Sequence, residues 1–219
     1  MCLNLLGHIE YNYLNFFFVD KLIFMLIKFS KPSKVLYFLS IFFMITINSQ
    51  AIAIADLSFP FSADSGKYWQ YVSDRVMGGV SDGQVSLEQD GEMYFARLTG
   101  NVSTRNNGGF IQLRSGVSFE NSEKNGKNLQ GVRLNVRGNG ETYEIHITTN
   151  DRVYRGDYYS ATFKADSDWT MIDLPFNKFT RKRSNNSKLD AKNITRFAIV
   201  AYGREYVSDV SVSTIEFYY

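Results

Sequence analysis

The sequence predicts an all-β fold, a sandwich or barrel, and three observations carry that prediction. From Asp56 onward, short runs of β-prone residues alternate with turn signals at a spacing of about 8–12 residues. Apolar residues recur at period 2, as in Val132, Leu134, Val136 and again Tyr143, Ile145, Ile147, which marks strands with one buried face. No long stretch shows helical periodicity, and a helical turn at Pro175–Phe179 is the most the pattern allows. The 219 residues, 44% of them hydrophobic and 16% aromatic, suffice for one sizeable core. Neither an internal repeat nor a second domain is apparent.

Taken in order, the chain begins with a leader. Residues 1–24 fit no part of a signal peptide, since Glu10 and Asp20 are wrong for an n-region, and are read as an upstream over-extension with translation starting at Met25. Residues 25–53 have the pattern of a secretory signal peptide. Lys28, Lys31 and Lys34 precede the apolar run 35–47, and Ala51-Ile52-Ala53 supplies the cleavage site. The run is short of the roughly 20 apolar residues of a membrane span. An uncleaved anchor is the alternative. A periplasmic or secreted protein is expected, with residues 56–219 as its single domain. The only cysteine, Cys2, lies in the doubtful first segment, so the domain has neither disulfide nor thiolate metal site. The formal charge of +2 belongs to the leader, which holds four lysines against two acids; 20 basic and 20 acidic residues remain. That balance leaves no footprint for nucleic acid.

The next stretch, Trp69 to Gly83, has a strand-like aromatic start, a polar corner, a Met-Gly-Gly turn and an Asp-Gly turn. Gly78 and Gly79 allow positive φ or a close backbone approach. Asp74 and Ser73 can bond nearby amides, and Met77 is expected to plug the space beneath. Gln84–Gln89 and Met93–Leu98 flank an Asp90-Gly91 hairpin turn. Phe110–Arg114 follows the Asn106-Asn107-Gly108-Gly109 loop. Gly131–Arg137 and Thr142–Thr148, around Gly138-Asn139-Gly140, read as a hairpin whose outer face carries Arg133, Arg137, Glu144 and His146. Strands at Tyr158–Lys164, Trp169–Leu174, Ile194–Tyr202 and Val207–Tyr219 complete the set. A bulge near Ser213–Thr214 is needed, because Val210 and Val212 differ in parity from Ile215 and Phe217. Glu120–Gln130 and Thr180–Asp190 are expected to be mobile surface loops.

Catalytic chemistry has little to work with. The domain has one histidine, His146, read as an exposed surface residue, so a histidine-based nucleophile site or a multi-histidine zinc site has no support. No Gly-rich loop opens a helix to cradle a phosphate. Nothing selects a pair of carboxylates for glycoside hydrolysis. Asp166-Ser167-Asp168 could join an oxygen-ligand calcium site but reads more simply as a polar turn. The protein is therefore expected to be no enzyme and to need no cofactor or metal.

The string Asp74-Arg75-Val76-Met77-Gly78-Gly79-Val80-Ser81, with Trp69 upstream, resembles the signature of the complex I intermediate-associated protein family. Further segments match in order: Asn101-Val102-Ser103, Gly108-Gly109-Phe110 with Arg114, and Gly131 to Gly138 with Tyr143. Tyr159 with Phe163, Trp169 with Leu174-Pro175-Phe176 and Phe179, and Leu189-Asp190 follow. The resemblance, covering roughly Phe59 to the C-terminus, implies a galactose-binding-like jelly roll. It also implies a non-catalytic assembly factor or chaperone for NADH:ubiquinone oxidoreductase, with mitochondria as the alternative location. A monomer binding a protein partner is expected, through Asp74, Arg75, Met77, Gly78, Gly79, Arg105, Asn107, Arg133, Arg137 and Glu144. The rival is a carbohydrate-binding module of the cell envelope, for which Trp69 and Trp169 are the stacking candidates.

Overall fold

A strand with one apolar face becomes stable only when that face is covered by a second sheet. The protein, seen in a computed structural model that describes residues 52–56, 69–117, 128–184 and 188–219, builds two such sheets. The strands are β1 Ile52–Asp56, β2 Trp69–Ser73, β3 Asp82–Asp90, β4 Met93–Val102, β5 Phe110–Gly116 and β6 Gly131–Gly138. After them come β7 Thr142–Thr149, β8 Tyr159–Lys164, β9 Thr170–Pro175, β10 Thr180–Arg181, β11 Ile194–Tyr202 and β12 Tyr206–Tyr218. Sheet A runs β3-β4-β12-β6-β9, with β1 also paired to β12; sheet B runs β10-β8-β7-β11-β5-β2. The apolar sets of the two sheets form the core, where Leu98, Leu134, Phe217, Ile145, Ile199 and Leu113 are at most 1% exposed. Each such side chain contributes roughly 1.5–3 kcal/mol by leaving water.

The hairpin over Gly91 is present, with Asp90 opposite Met93 and Gly91 at φ +60°. The bulge in β12 is present too: the register against β6 shifts between Val212 and Thr214. It lets Val210 and Val212 face the core and then Ile215 and Phe217 do the same. The expected helical turn is a 3-10 turn at Phe176–Lys178.

The segments flanking Gly138-Asn139-Gly140 do not form a hairpin. β6 pairs with β12 and β9 in sheet A, whereas β7 pairs with β11 and β8 in sheet B. The turn is an arch that carries the chain from one sheet to the other. Its polar groups are met by other parts of the fold: Gly140 N–H donates to the Ala165 carbonyl at 2.8 Å, and Asn139 Nδ2 to the Val207 carbonyl at 2.8 Å. The Tyr143 hydroxyl donates to Asn139 Oδ1 at 2.8 Å. Both strands do bury the apolar residues expected of them. Their charged faces, however, look outward from opposite sides of the sandwich.

Two other expectations change. Thr180–Asp190 starts as β10, and Arg181 is buried in a bond of 2.8 Å from its Nε to the Asp157 carboxylate, with side-chain exposures of 5% and 0%. The Ser184 hydroxyl and the Arg183 N–H also donate to Asp157, at 2.7 and 3.2 Å. Burial pushes Asp157 up, but Ser184 and Arg181 more than offset this and hold it below the usual carboxylate value. The first strand, β1, precedes the point where strands were expected to begin, and aligns Ile52 with Phe217. The predicted leader otherwise lies outside the described residues, as does most of the Glu120–Gln130 loop.

Candidate functional site

The Asp-Arg-Val-Met segment folds as a 3-10 turn, Asp74–Met77, straight after β2. Asp74 is fully buried. Its Oδ1 accepts from the Ser81 N–H at 2.9 Å, and its Oδ2 from the Ser81 hydroxyl at 2.5 Å, Gly109 N–H at 2.6 Å and Phe110 N–H at 3.3 Å. Burial raises the carboxyl's pKa, but these donors outweigh it and hold Asp74 below its ordinary value. One carboxylate thus fastens the turn after β2 to the start of β3 and to the loop before β5. Ser81 extends the clasp: its hydroxyl oxygen accepts from the Ser103 N–H at 2.9 Å.

The two glycines serve different ends. Gly78 sits at φ +91° with open space where a side chain would point. Gly79 has no unusual φ, but a Cβ there would collide with the Asp74 carboxylate, as would one at Gly108. Gly78→Ala is therefore expected to cost about 1 kcal/mol through backbone strain alone. Gly79→Ala should cost about 2–3 kcal/mol, because the clasp must open to admit the methyl group. Urea unfolding of the two variants measures the difference.

Met77 does not plug the turn. The Asp74 carboxylate fills the inside, and Met77 and Val76 are 63% and 75% exposed. Arg75 points outward, its Nε donating to the Ser81 carbonyl at 3.0 Å and its terminal nitrogen lying 3.4 Å from Asp82. The neighbouring loop forms a second 3-10 turn, Arg105–Asn107, exposed throughout, and Asn106 Nδ2 donates to the Gly78 carbonyl at 3.3 Å. Seven of the candidate residues, Asp74, Arg75, Met77, Gly78, Gly79, Arg105 and Asn107, come together at this end of the sandwich.

The other three lie elsewhere, and they do not share a face. Arg133 and Arg137 stand on the outer face of sheet A. Arg133 makes a two-pronged bond to Asp173 at 2.7 and 2.8 Å. Arg137 reaches Asp90 at 3.2 Å and lies 4.7 Å above the Trp169 ring and 4.9 Å from that of Phe95. The Arg137 guanidinium thus lies over the Trp169 ring, while Trp69, half-buried, meets Phe197 in a T-shaped contact with centroids 6.5 Å apart.

Glu144 is on the outer face of sheet B, bonded at 2.8 Å to His146. His146 is not the exposed residue expected from its place on the strand: its side chain is 12% exposed. Tyr158, arriving just before β8, stacks on its ring at 4.0 Å, and Tyr202 meets it edge-on at 5.4 Å. Burial pushes His146 below its ordinary pKa, with Glu144 opposing. Alternation puts Tyr158 on an outer face but could not reveal this cluster, because it does not show that β8 and β11 both lie beside β7. Among the described residues, no group of three or more His, Cys, Asp or Glu side chains could hold a metal ion.

Solved structures with a similar fold include carbohydrate-binding modules. The family 11 module of the cellulosomal cellulase Lic26A-Cel5E of Clostridium thermocellum superimposes with a TM-score of 0.59 at 13% identity, over 77% of this chain and 94% of that one. The family 11 module from the same organism, in complex with a β-1,3-1,4-mixed-linked tetrasaccharide, gives 0.57 at 14% identity, over 78% and 96%. At this identity the likeness establishes the jelly-roll sandwich and nothing about ligand. No curated protein matches the chain in sequence. The model of the complex I intermediate-associated protein 30 family matches residues 59–209, from ahead of the Asp74 clasp into β12. With the clasp, its glycines and strands β2 to β11 all within that match, the chain belongs to the complex I intermediate-associated protein 30 family.

Proposed function

We propose that this is a non-catalytic binding domain, exported and monomeric, that docks a protein partner through the turn carrying Val76 and Met77, as an assembly factor would. The observation that carries the proposal is the exposure of two apolar side chains, 75% and 63%, on a turn held rigid by a fully buried carboxylate. An apolar contact already fixed in place binds without a further ordering cost. Arg75 and Arg105 beside it supply the polar rim that such contacts have. Family membership supports an assembly-like role.

The test compares the wild-type protein with a Val76→Asp/Met77→Asp variant in affinity capture from a cell-envelope extract. Wild-type is expected to retain a partner that the variant loses, while the two melt alike, since exposed positions change stability by only about 0.5 kcal/mol. Equal capture by both would remove the turn as the docking site. Carbohydrate binding is the second proposal, supported by the partly exposed tyrosines on sheet B and by the fold shared with sugar-binding modules. A glycan-array signal unaffected by the double substitution would favour it.

A further inference from the structure

The arginines of the two outer faces are treated differently. On sheet A each has a carboxylate: Arg97 with Asp209, Arg133 with Asp173 and Arg137 with Asp90. On sheet B, Arg114 of β5 and Arg196 of β11 both point outward. The register sets Arg114 opposite Ala198 and Arg196 opposite Gly116, which makes the two arginines diagonal neighbours across adjacent strands. Such neighbours stand roughly 7–8 Å apart. Arg152, in the turn after β7, approaches from the same end, where Ile194 pairs with Thr149. Among the described residues no carboxylate pairs with any of the three. Among the described residues of that side, Glu144 is engaged by His146, and Asp151 and Asp157 by Arg181. Burial, and then the charges of Arg114 and Arg152, push the Arg196 guanidinium below its ordinary pKa.

Like charges gathered on one face repel one another, and an anionic ligand would relieve that repulsion. The rest of the face indicates what kind. Ala198 and Val200 point outward yet are only 2% and 1% exposed, because the longer side chains beside them on β7 and β5, His146 and Glu144 on one side and Arg114 and Gln112 on the other, cover them. Across the same outer face stand hydrogen-bonding groups on Gln70 of β2, Gln112 of β5 and Thr162 of β8, and the ring of Tyr202 of β11, 42% exposed. Amide and hydroxyl groups beside an aromatic ring suit a chain of pyranoses better than an apolar peptide, which would need an apolar pocket.

We infer that the outer face of sheet B binds an acidic polysaccharide, with Arg114, Arg152 and Arg196 holding its carboxylates or sulfates and Tyr202 meeting a sugar ring. The site is separate from the Met77 turn, and it gives the carbohydrate proposal a location and a ligand class. Titration of the full chain at physiological salt with polygalacturonate, dextran sulfate, neutral mixed-linked β-glucan and polyglutamate tests it. At least one of the two acidic polysaccharides should bind tenfold or more tighter than the neutral glucan, a gap of about 1.4 kcal/mol. Which of them does so separates carboxylate from sulfate recognition. Arg114→Gln/Arg196→Gln should lose that preference without lowering the melting temperature. Arg152→Gln, in an exposed turn, should weaken it severalfold with no risk to the sheet. Val76→Asp/Met77→Asp should leave it intact, so that failure of the docking turn and failure of this site can be told apart. The inference is overturned if neither acidic polysaccharide outbinds the glucan, if polyglutamate binds as well as they do, or if the arginine variants keep full affinity.

Discussion

Asp74→Ala is expected to destabilise the domain by about 4 kcal/mol, the largest effect of any substitution in the signature. It strips the partner from four donors at once, the Ser81 N–H and hydroxyl and the N–H groups of Gly109 and Phe110. Each buried donor left alone costs about 1–3 kcal/mol, and partial collapse of the loops recovers some of the sum. Asp74→Asn, which keeps the shape and one oxygen, should cost roughly half as much by the same reasoning. The charge adds a pH signature. Because the folded carboxyl has a lowered pKa, the unfolded chain takes up protons first as the solution is acidified. The contribution of Asp74 is complete above the ordinary carboxylate pKa near 4 and is lost as pH falls towards the folded value. Asp157 and Asp173 are lowered too and act in the same direction. Urea midpoints measured between about pH 3 and 7 should fall more steeply on the acid side for wild-type than for Asp74→Ala.

Arg181→Ala should cost about 3–5 kcal/mol, since it leaves the fully buried Asp157 carboxylate without its cation. The loss extends to β10, whose pairing with β8 consists of Thr180 and Arg181 alone. Arg181→Lys keeps the charge but cannot reproduce the fork that bonds Asp157 while reaching the Tyr159 hydroxyl, so it should recover only part. The Asp157→Ala/Arg181→Ala double variant should be far less damaged than the sum of the singles. An additive double-mutant cycle would show that the pair is not coupled.

The residues that were legible in the sequence are those whose partners are implied by alternation. Val132, Leu134 and Val136 had to face a core, and so did Tyr143, Ile145 and Ile147; all six are buried. Parity alone also located the bulge beside Ser213. Alternation says which face is buried but not which sheet a strand joins. A Gly-Asn-Gly turn serves an arch as well as a hairpin, and so β6 and β7 were paired with each other. The same limit put Arg133, Arg137 and Glu144 on one face. The candidate loop end was visible as a motif, yet the role of Asp74 was not, because the amides it binds belong to Gly109 and Phe110, 35 and 36 positions along the chain. Met77 was misplaced for the same reason, since the carboxylate occupies the volume assigned to it. The arginine cluster on sheet B depends on the register of β5 against β11, which no local pattern specifies.

β12, the bulged strand at the end of the chain, also governs how the fold is reached. It lies between β4 and β6 in sheet A, and its partners in β4 are more than 100 positions earlier. During synthesis β3 and β4 can zip together as soon as they emerge, and β6 can find β9. The two ribbons cannot join into one layer until β12 is made and slots between them. Until then Leu98 and Leu134 face a core that has no middle. Closure of such distant contacts is slow in kind, so the nascent chain spends its time as two half-layers. A ribosome-bound chain stopped ahead of Tyr206 would hold two separate ribbons, and adding Tyr206–Tyr218 would join them into sheet A in one step.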